Sequence, residues 1–160
     1  MPSIAAWGAA GPPVLPPAPA RHPESMEKPP AMHAPTTTPV LIIDDDAAMR
    51  DMLAAMLRER GYRYIAFAQD GAQAQALFAV PDYREALVFL DIHMPGIDGL
   101  AVLAGARRGG SRAFIVMVSA DSAIDKVLAS LNGGAKGFVI KPYTPRKIFD
   151  MVDKFEGAAA

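Results

Sequence analysis

The chain has 160 residues, 51% of them apolar, and 16 Lys and Arg against 17 Asp and Glu give a formal charge of −1. That length suits one domain with an appendage, and the near-neutral balance argues against a nucleic-acid binder, which carries a basic excess. The absence of cysteine excludes disulfides and thiolate metal sites, and no apolar run is long enough to span a bilayer.

Eleven of the fifteen prolines lie in residues 1–39. A stretch such as GPPVLPPAPA can be neither a helix interior nor a central strand, because proline lacks the N–H and fixes φ. Residues 1–38 therefore read as a disordered or polyproline-like tail. Ala18-Pro19-Ala20 loosely mimics a secretory cleavage site. No Lys or Arg precedes the apolar stretch, however, and Gly and Pro interrupt it.

From Val40 the texture changes. The run VLII (40–43) is followed by Asp46 as an N-cap and by Met49, Met52, Leu53 and Met56 at helical spacing. The methionines read as core filler. Arg58 and Arg60 suit the last turn of that helix, and Gly61 its stop. Then come YIAF (64–67) and ALVFL (86–90), with turn signals at Pro95-Gly96 and Asp98-Gly99. Gly96 reads as structural rather than catalytic, and Arg107-Arg108 as a solvated helix C-terminus. FIVMV (114–118) precedes an amphipathic segment carrying Ile124, Val127, Leu128 and Leu131, which Asn132-Gly133-Gly134 stops. After FVI (138–140), Thr144 caps a helix opened by Pro145, with Ile148, Met151, Val152 and Phe155 on one face. Short unbroken runs are the mark of parallel strands covered on both sides. Five strand–helix repeats predict a doubly wound α/β domain over 39–156, with 157–160 as a short C-terminal tail.

Four strands end in chemistry. The first is followed by Asp44-Asp45-Asp46, the third by Asp91, the fourth by Ser119 and the fifth by Lys141. In a parallel sheet all C-terminal ends share one edge, where ligands bind at the switch point. In the flavodoxin-like order 2-1-3-4-5, Asp44 and Asp45 sit beside Asp91, roughly 5 Å away, and Lys141 lies roughly 10 Å off with a side chain long enough to lean back. Carboxylates so crowded push one another toward protonation. A hard divalent cation and an ammonium relieve this, and all-oxygen ligation beside a phosphate-sized pocket suits Mg²⁺. A carboxylate there can be the nucleophile of an aspartyl-phosphate, with Asp91, central in the set, as the candidate and Asp44 and Asp45 as metal holders.

With these residues in view, the sequence resembles the response-regulator receiver domains of bacterial two-component signalling, stand-alone chemotaxis receivers among them. VLIIDDD, LDIHMPGIDG, VMVSA and GFVIKPYT occur in the expected order over 39–156. The resemblance implies that Asp91 is the phosphoacceptor. Asp45, Asp91 and the backbone carbonyl of His93 would bind Mg²⁺ directly, and Asp44 mainly through water. Ser119 would hydrogen-bond the phosphoryl group and move with it. Phe138 would be the switch aromatic, and Lys141 would contact the phosphoryl oxygens across a cis Lys141-Pro142 bond. It further implies a cytoplasmic regulatory protein, not an enzyme beyond assisting its own phosphorylation and dephosphorylation. The phosphodonor would be a sensor histidine kinase or histidine phosphotransfer protein. A protein target would read the fourth helix, fifth strand and fifth helix, about 121–156, with no role for nucleic acid or membrane.

Taken singly, the residues have plainer roles. Asp44–Asp46 would start a helix, Ser119 would cap one, Phe138 would fill core, and the His93 ring is too soft for a carboxylate-rich set. Two other functions fit parts of the pattern. One is a haloacid-dehalogenase-like, Mg²⁺-dependent phosphohydrolase, which needs an Asp-x-Asp-x-Thr/Val run where Asp44-Asp45-Asp46-Ala47-Ala48 stands. The other is a degenerate receiver serving as a scaffold, against which the full acidic set, Ser119 and Lys141 speak.

Overall fold

The computed structural model describes residues 37–159, so the expected tail lies outside them apart from Thr37 and Thr38. The apolar runs form five strands: β1 (Val40–Ile43), β2 (Ile65–Ala68), β3 (Leu87–Asp91), β4 (Phe114–Ser119) and β5 (Gly137–Ile140). Five helices alternate with them: α1 (Ala47–Glu59), α2 (Gly71–Phe78), α3 (Gly99–Arg108), α4 (Ile124–Asn132) and α5 (Pro145–Ala159). All neighbouring strands pair in parallel, in the order β2-β1-β3-β4-β5. This is the flavodoxin-like doubly wound order expected above, and it places the strand-ending residues along one edge.

Side chains alternate across the sheet, as the period of a strand demands. Val40, Ile42, Phe89 and Val116 face one layer, where Leu53 and Leu57 of α1 meet Ile148, Val152 and Phe155 of α5. The Phe155 ring meets Phe114 edge-on, with centroids 5.4 Å apart. Leu41, Ile43, Leu90, Ile115 and Met117 face the other layer, with Val102, Leu103 and Ala106 of α3. The central strands are thus buried on both faces, which is why they carry no polar alternation.

Helix ends follow local chemistry. Asp46 accepts hydrogen bonds from the Ala48 and Met49 N–H groups, and Asp98 caps α3 through Ala101 N–H. Thr144 Oγ1 accepts from Lys147 N–H at 3.3 Å. Gly134, just past α4, takes φ +97°, a conformation open to glycine.

Several expectations need correcting. β2 begins one residue later than YIAF suggested, leaving Tyr64 60% exposed. Met52 is 41% exposed, whereas Met49 and Met56 do pack against the core. In α4 the apolar stripe points outward, with Ile124 75% exposed and Leu128 and Leu131 about half exposed. The residue α4 buries is Ser130, whose hydroxyl donates to the Lys126 carbonyl and so brings no unpaired polar group inside. Arg107 is not solvated. Its guanidinium donates to the carbonyls of Ser111 (3.0 Å) and Gly134 (2.7 Å), tying the end of α3 to the turn after α4. Burial lowers its pKa. The last helix runs on to Ala159 where a tail from 157 was expected, because Ala158 and Ala159 are strong helix formers.

Candidate functional site

Strand register alone gathers the candidate residues. Ile43 pairs with Leu90, so Asp44 and Asp91 stand level on adjacent strands. Asp91 pairs with Val118, which puts Ser119 one step beyond it, and Ser119 pairs with Ile140, just before Lys141. Asp91, Asp44 and Ser119 are buried, and Asp45 is exposed. The Lys141 ammonium leans back across β4, as its length allows, and donates to Asp44 Oδ2 at 2.8 Å and Asp91 Oδ2 at 3.3 Å. The Lys141-Pro142 peptide is cis.

Backbone donors hold the remaining carboxylate oxygens. His93 N–H donates to Asp91 Oδ1 at 3.2 Å, and Asp46 N–H donates to Asp44 Oδ1 at 2.9 Å. The Ser119 hydroxyl oxygen accepts from Asp121 N–H at 3.0 Å, and the Asp121 carboxylate accepts from Ala123 N–H. Ser119 is therefore linked through one turn to the start of α4. Phe138 on β5 is half-buried and packs against the layer containing Met117. The His93 side chain is exposed.

Burial raises the pKa of Asp91, and neighbouring Asp44 pushes the same way; Lys141 and the His93 N–H pull it down without prevailing. For Lys141, burial disfavours the charge, but the hydrogen bond to Asp44 and the two carboxylates outweigh it and the pKa rises. Tyr143, buried two residues later, is pushed up to about 12 by burial first and Asp44 second. The acid cluster is thus held by one protonated lysine and is short of positive charge.

One oxygen each from Asp44, Asp45 and Asp91 lies within 4.8 Å of the others. Three hard anionic oxygens, with Asp45 open to solvent, are a donor set that fits Mg²⁺, which keeps several waters. Asp45 also lines an open cleft of about 470 Å³ with Asp70, Pro95, Gly96 and Ile97.

Two residues of this site were not read from the sequence. Arg50, on the first turn of α1, donates to the Asp44 carbonyl at 2.7 Å. Gly99 opens α3 so close to β3 that an added Cβ would lie 2.1 Å from the Asp91 carbonyl oxygen. The Asp98-Gly99 turn signal was the only hint of the second, and nothing in the sequence singles out the first.

Comparison with known proteins agrees with this geometry. The response regulator receiver domain family matches residues 40–153. The chain belongs to that family. It is 35% identical over 118 residues to the chemotaxis protein CheY of Bacillus subtilis, covering 72% of this chain and 94% of that protein. It is 37% identical over 109 residues to the DNA-binding response regulator MtrA of Mycolicibacterium paratuberculosis, covering 68% of this chain but 47% of the relative, about half its length. Among solved structures, the CheX-CheY-BeF3-Mg+2 complex from Borrelia burgdorferi contains a chain matching with TM-score 0.69 and 30% identity, over 73% of this chain and 87% of that one. The receiver is thus of the CheY type, a regulatory module of two-component signalling. Among the described residues no helix is long and apolar enough to cross a membrane.

The receiver's lysine makes a testable contribution to stability. A lysine whose folded pKa is raised stabilises fully below its unfolded value, near 10.5, and that share is lost as pH rises through the folded value. Metal-free wild type is expected to melt above Lys141→Ala at pH 7, and the gap to narrow only above about pH 10.5. Equal melting temperatures at pH 7 would show that the bridge to Asp44 and Asp91 adds nothing.

Proposed function

We propose that this receiver accepts a phosphoryl group on Asp91 from a phosphohistidine of a sensor kinase or histidine phosphotransfer protein, and that the charge so added changes which protein binds it. The observation that carries this reading is the convergence of Asp44, Asp45, Asp91 and Lys141 at one sheet edge, with ligand-competent oxygens within 4.8 Å and the lysine within 3.3 Å. The Borrelia relative, crystallised with BeF3 and Mg+2, supports it.

Asp45, Asp91 and the His93 carbonyl would hold Mg²⁺, with Asp44 acting mainly through water. The ion would supply positive charge against the transferring phosphoryl oxygens. An Asp91 carboxylate oxygen attacks phosphorus, the bond from phosphorus to the imidazole nitrogen breaks, and the imidazole leaves with the electron pair. Lys141 neutralises charge on the phosphoryl oxygens, and the Ser119 hydroxyl donates to one of them, giving up its bond to Asp121 N–H. That release reaches the start of α4, and Phe138 follows by turning inward. The outward apolar stripe of α4, with β5 and α5, is the surface a partner would read. A histidine kinase or phosphotransfer donor would put the protein in the cytoplasm.

The test is acetyl phosphate with Mg²⁺, read by intact mass. One added phosphoryl group is expected, requiring Mg²⁺ and absent in Asp91→Asn. Turnover of added phosphomonoesters would instead support a phosphohydrolase, and no modification by any donor, including purified histidine kinases, a scaffold.

A further inference from the structure

The three aspartates after β1 cannot hold themselves in place. Asp44 N–H is paired with the Ala68 carbonyl of β2. Its carboxylate is shared between Lys141 and the Asp46 N–H. Its carbonyl stands where β1 leaves the sheet, on a residue only 6% exposed, and needs a donor. Arg50 supplies it. The half-buried guanidinium reaches back along the first turn of α1 and donates at 2.7 Å, while Arg50 N–H closes that turn on the Asp46 carbonyl. The acid turn is therefore pinned at three places: by Asp46 capping α1, by Asp46 N–H on the Asp44 carboxylate, and by Arg50 on the Asp44 carbonyl. The peptide that Arg50 grips is the one joining Asp44 to Asp45, two of the three candidate metal ligands.

We propose that Arg50 is a positioning residue of the metal site: through the Asp44 carbonyl it fixes the Asp44-Asp45 peptide so that both carboxylates face Asp91. It does not touch the ion. The inference rests on the Mg²⁺-dependent reading above, and it asks the bond to act by placement. The guanidinium's charge, by itself, would repel a cation. The two effects have opposite signs, so the measurement separates them.

The test compares wild type, Arg50→Met and Arg50→Lys as full chains. Methionine keeps the apolar stem and removes the donor; lysine restores a charged donor group. In metal-free protein, amide hydrogen exchange at Asp46, whose N–H is bonded to the Asp44 carboxylate, reports order in the turn. Mg²⁺ affinity is read by calorimetry with magnesium chloride. Arg50→Met is expected to exchange faster at Asp46 and to bind Mg²⁺ about tenfold more weakly, the lower end of what residues supporting metal ligands cost when removed. Arg50→Lys is expected to stay within about threefold of wild type, since one donor meets one acceptor. Unchanged or tighter Mg²⁺ binding in Arg50→Met overturns the proposal, and so does wild-type exchange at Asp46. Should Arg50→Met fail to fold, Arg50→Ala takes its place, with the same expected loss and the same overturning results. Wild type that binds no Mg²⁺ sinks the functional reading and this proposal together, and is told apart from the other failures because all three proteins then behave alike in the calorimeter.

Discussion

Asp91→Asn is expected to abolish phosphoryl acceptance and, in metal-free protein at neutral pH, to raise the melting temperature. The first effect follows from chemistry: an amide oxygen is a poor nucleophile, and among the described residues no other carboxylate stands both on the central strand and beside Lys141. The second follows from linkage. Burial raises the folded pKa of Asp91 above its ordinary 3.8. The native state therefore holds this proton more tightly than the unfolded chain does. As pH rises from 3.8 through the folded value, the buried acid must ionise at a cost, and stability falls and stays lowered at pH 7. Asparagine keeps the shape and an acceptor for the His93 N–H but carries no charge. The expected gain is on the order of 1 kcal/mol, the usual size when a functionally strained position is relaxed. Below pH 3.8 both side chains are neutral and the difference should close. Mg²⁺ should reverse the ranking, because a ligand at 100 times its Kd adds about 2.7 kcal/mol to the state that binds it, and the variant lacks one of the proposed metal ligands. Thermal melts at pH 7 and pH 3, with and without Mg²⁺, check all three arms. A variant less stable than wild type in the absence of metal, or one still phosphorylated, would mean that Asp91 is not the buried acceptor proposed.

The reach of the sequence differs from element to element, for physical reasons. That Asp44, Asp91, Ser119 and Lys141 share one edge was legible because repeated strand–helix units put parallel strands together with a common C-terminal edge, while the strand order that sets Asp44 beside Asp91 was the one the family resemblance implied. Asp46 as a cap was legible because capping is local. The orientation of α4 was not. Its apolar spacing requires one apolar face, yet cannot say whether the sheet or solvent meets that face, and here the sheet side is taken by Ser130. Arg107 shows the same limit. An arginine pair at a helix end looks solvated until the turn after α4 is folded over it and presents the Gly134 carbonyl. Arg50 was invisible because its acceptor is a backbone carbonyl, and sequence records no backbone geometry. Lys141 could be placed near the acids, but that it pairs with Asp44 more closely than with Asp91 is a matter of side-chain packing.

Gly99→Ala should be among the most damaging single-methyl changes in the domain, and Gly105→Ala, six residues along the same helix, should be harmless or helpful. At Gly99 the N–H donates to the Ile92 carbonyl at 2.8 Å and draws the start of α3 against the end of β3. A Cβ there would lie 2.1 Å from the Asp91 carbonyl oxygen and 2.8 Å from Ile92 Cα. Both obstacles are backbone and cannot rotate away, so the helix start or the strand end must move. Overpacking of this kind costs about 3 kcal/mol, lowering the melting temperature by about 10 °C. Because the displaced atoms belong to the peptide of Asp91, the proposed acceptor, phosphorylation by acetyl phosphate should slow about 100-fold, the penalty for misplacing a reacting group by about 1 Å. At Gly105 the nearest atoms to an added Cβ are the ends of Arg108 and Gln75, 3.9 and 4.0 Å away. Alanine is there free to supply its better helix propensity, a gain of about 0.5–1 kcal/mol. Both substitutions add one methyl to the same helix, so propensity alone predicts that both stabilise. Opposite signs in the melts, with slowed phosphorylation confined to Gly99→Ala, would show that α3 is seated directly on the strand that carries Asp91; a Gly99→Ala protein that melts like wild type would show that the contact has room to give.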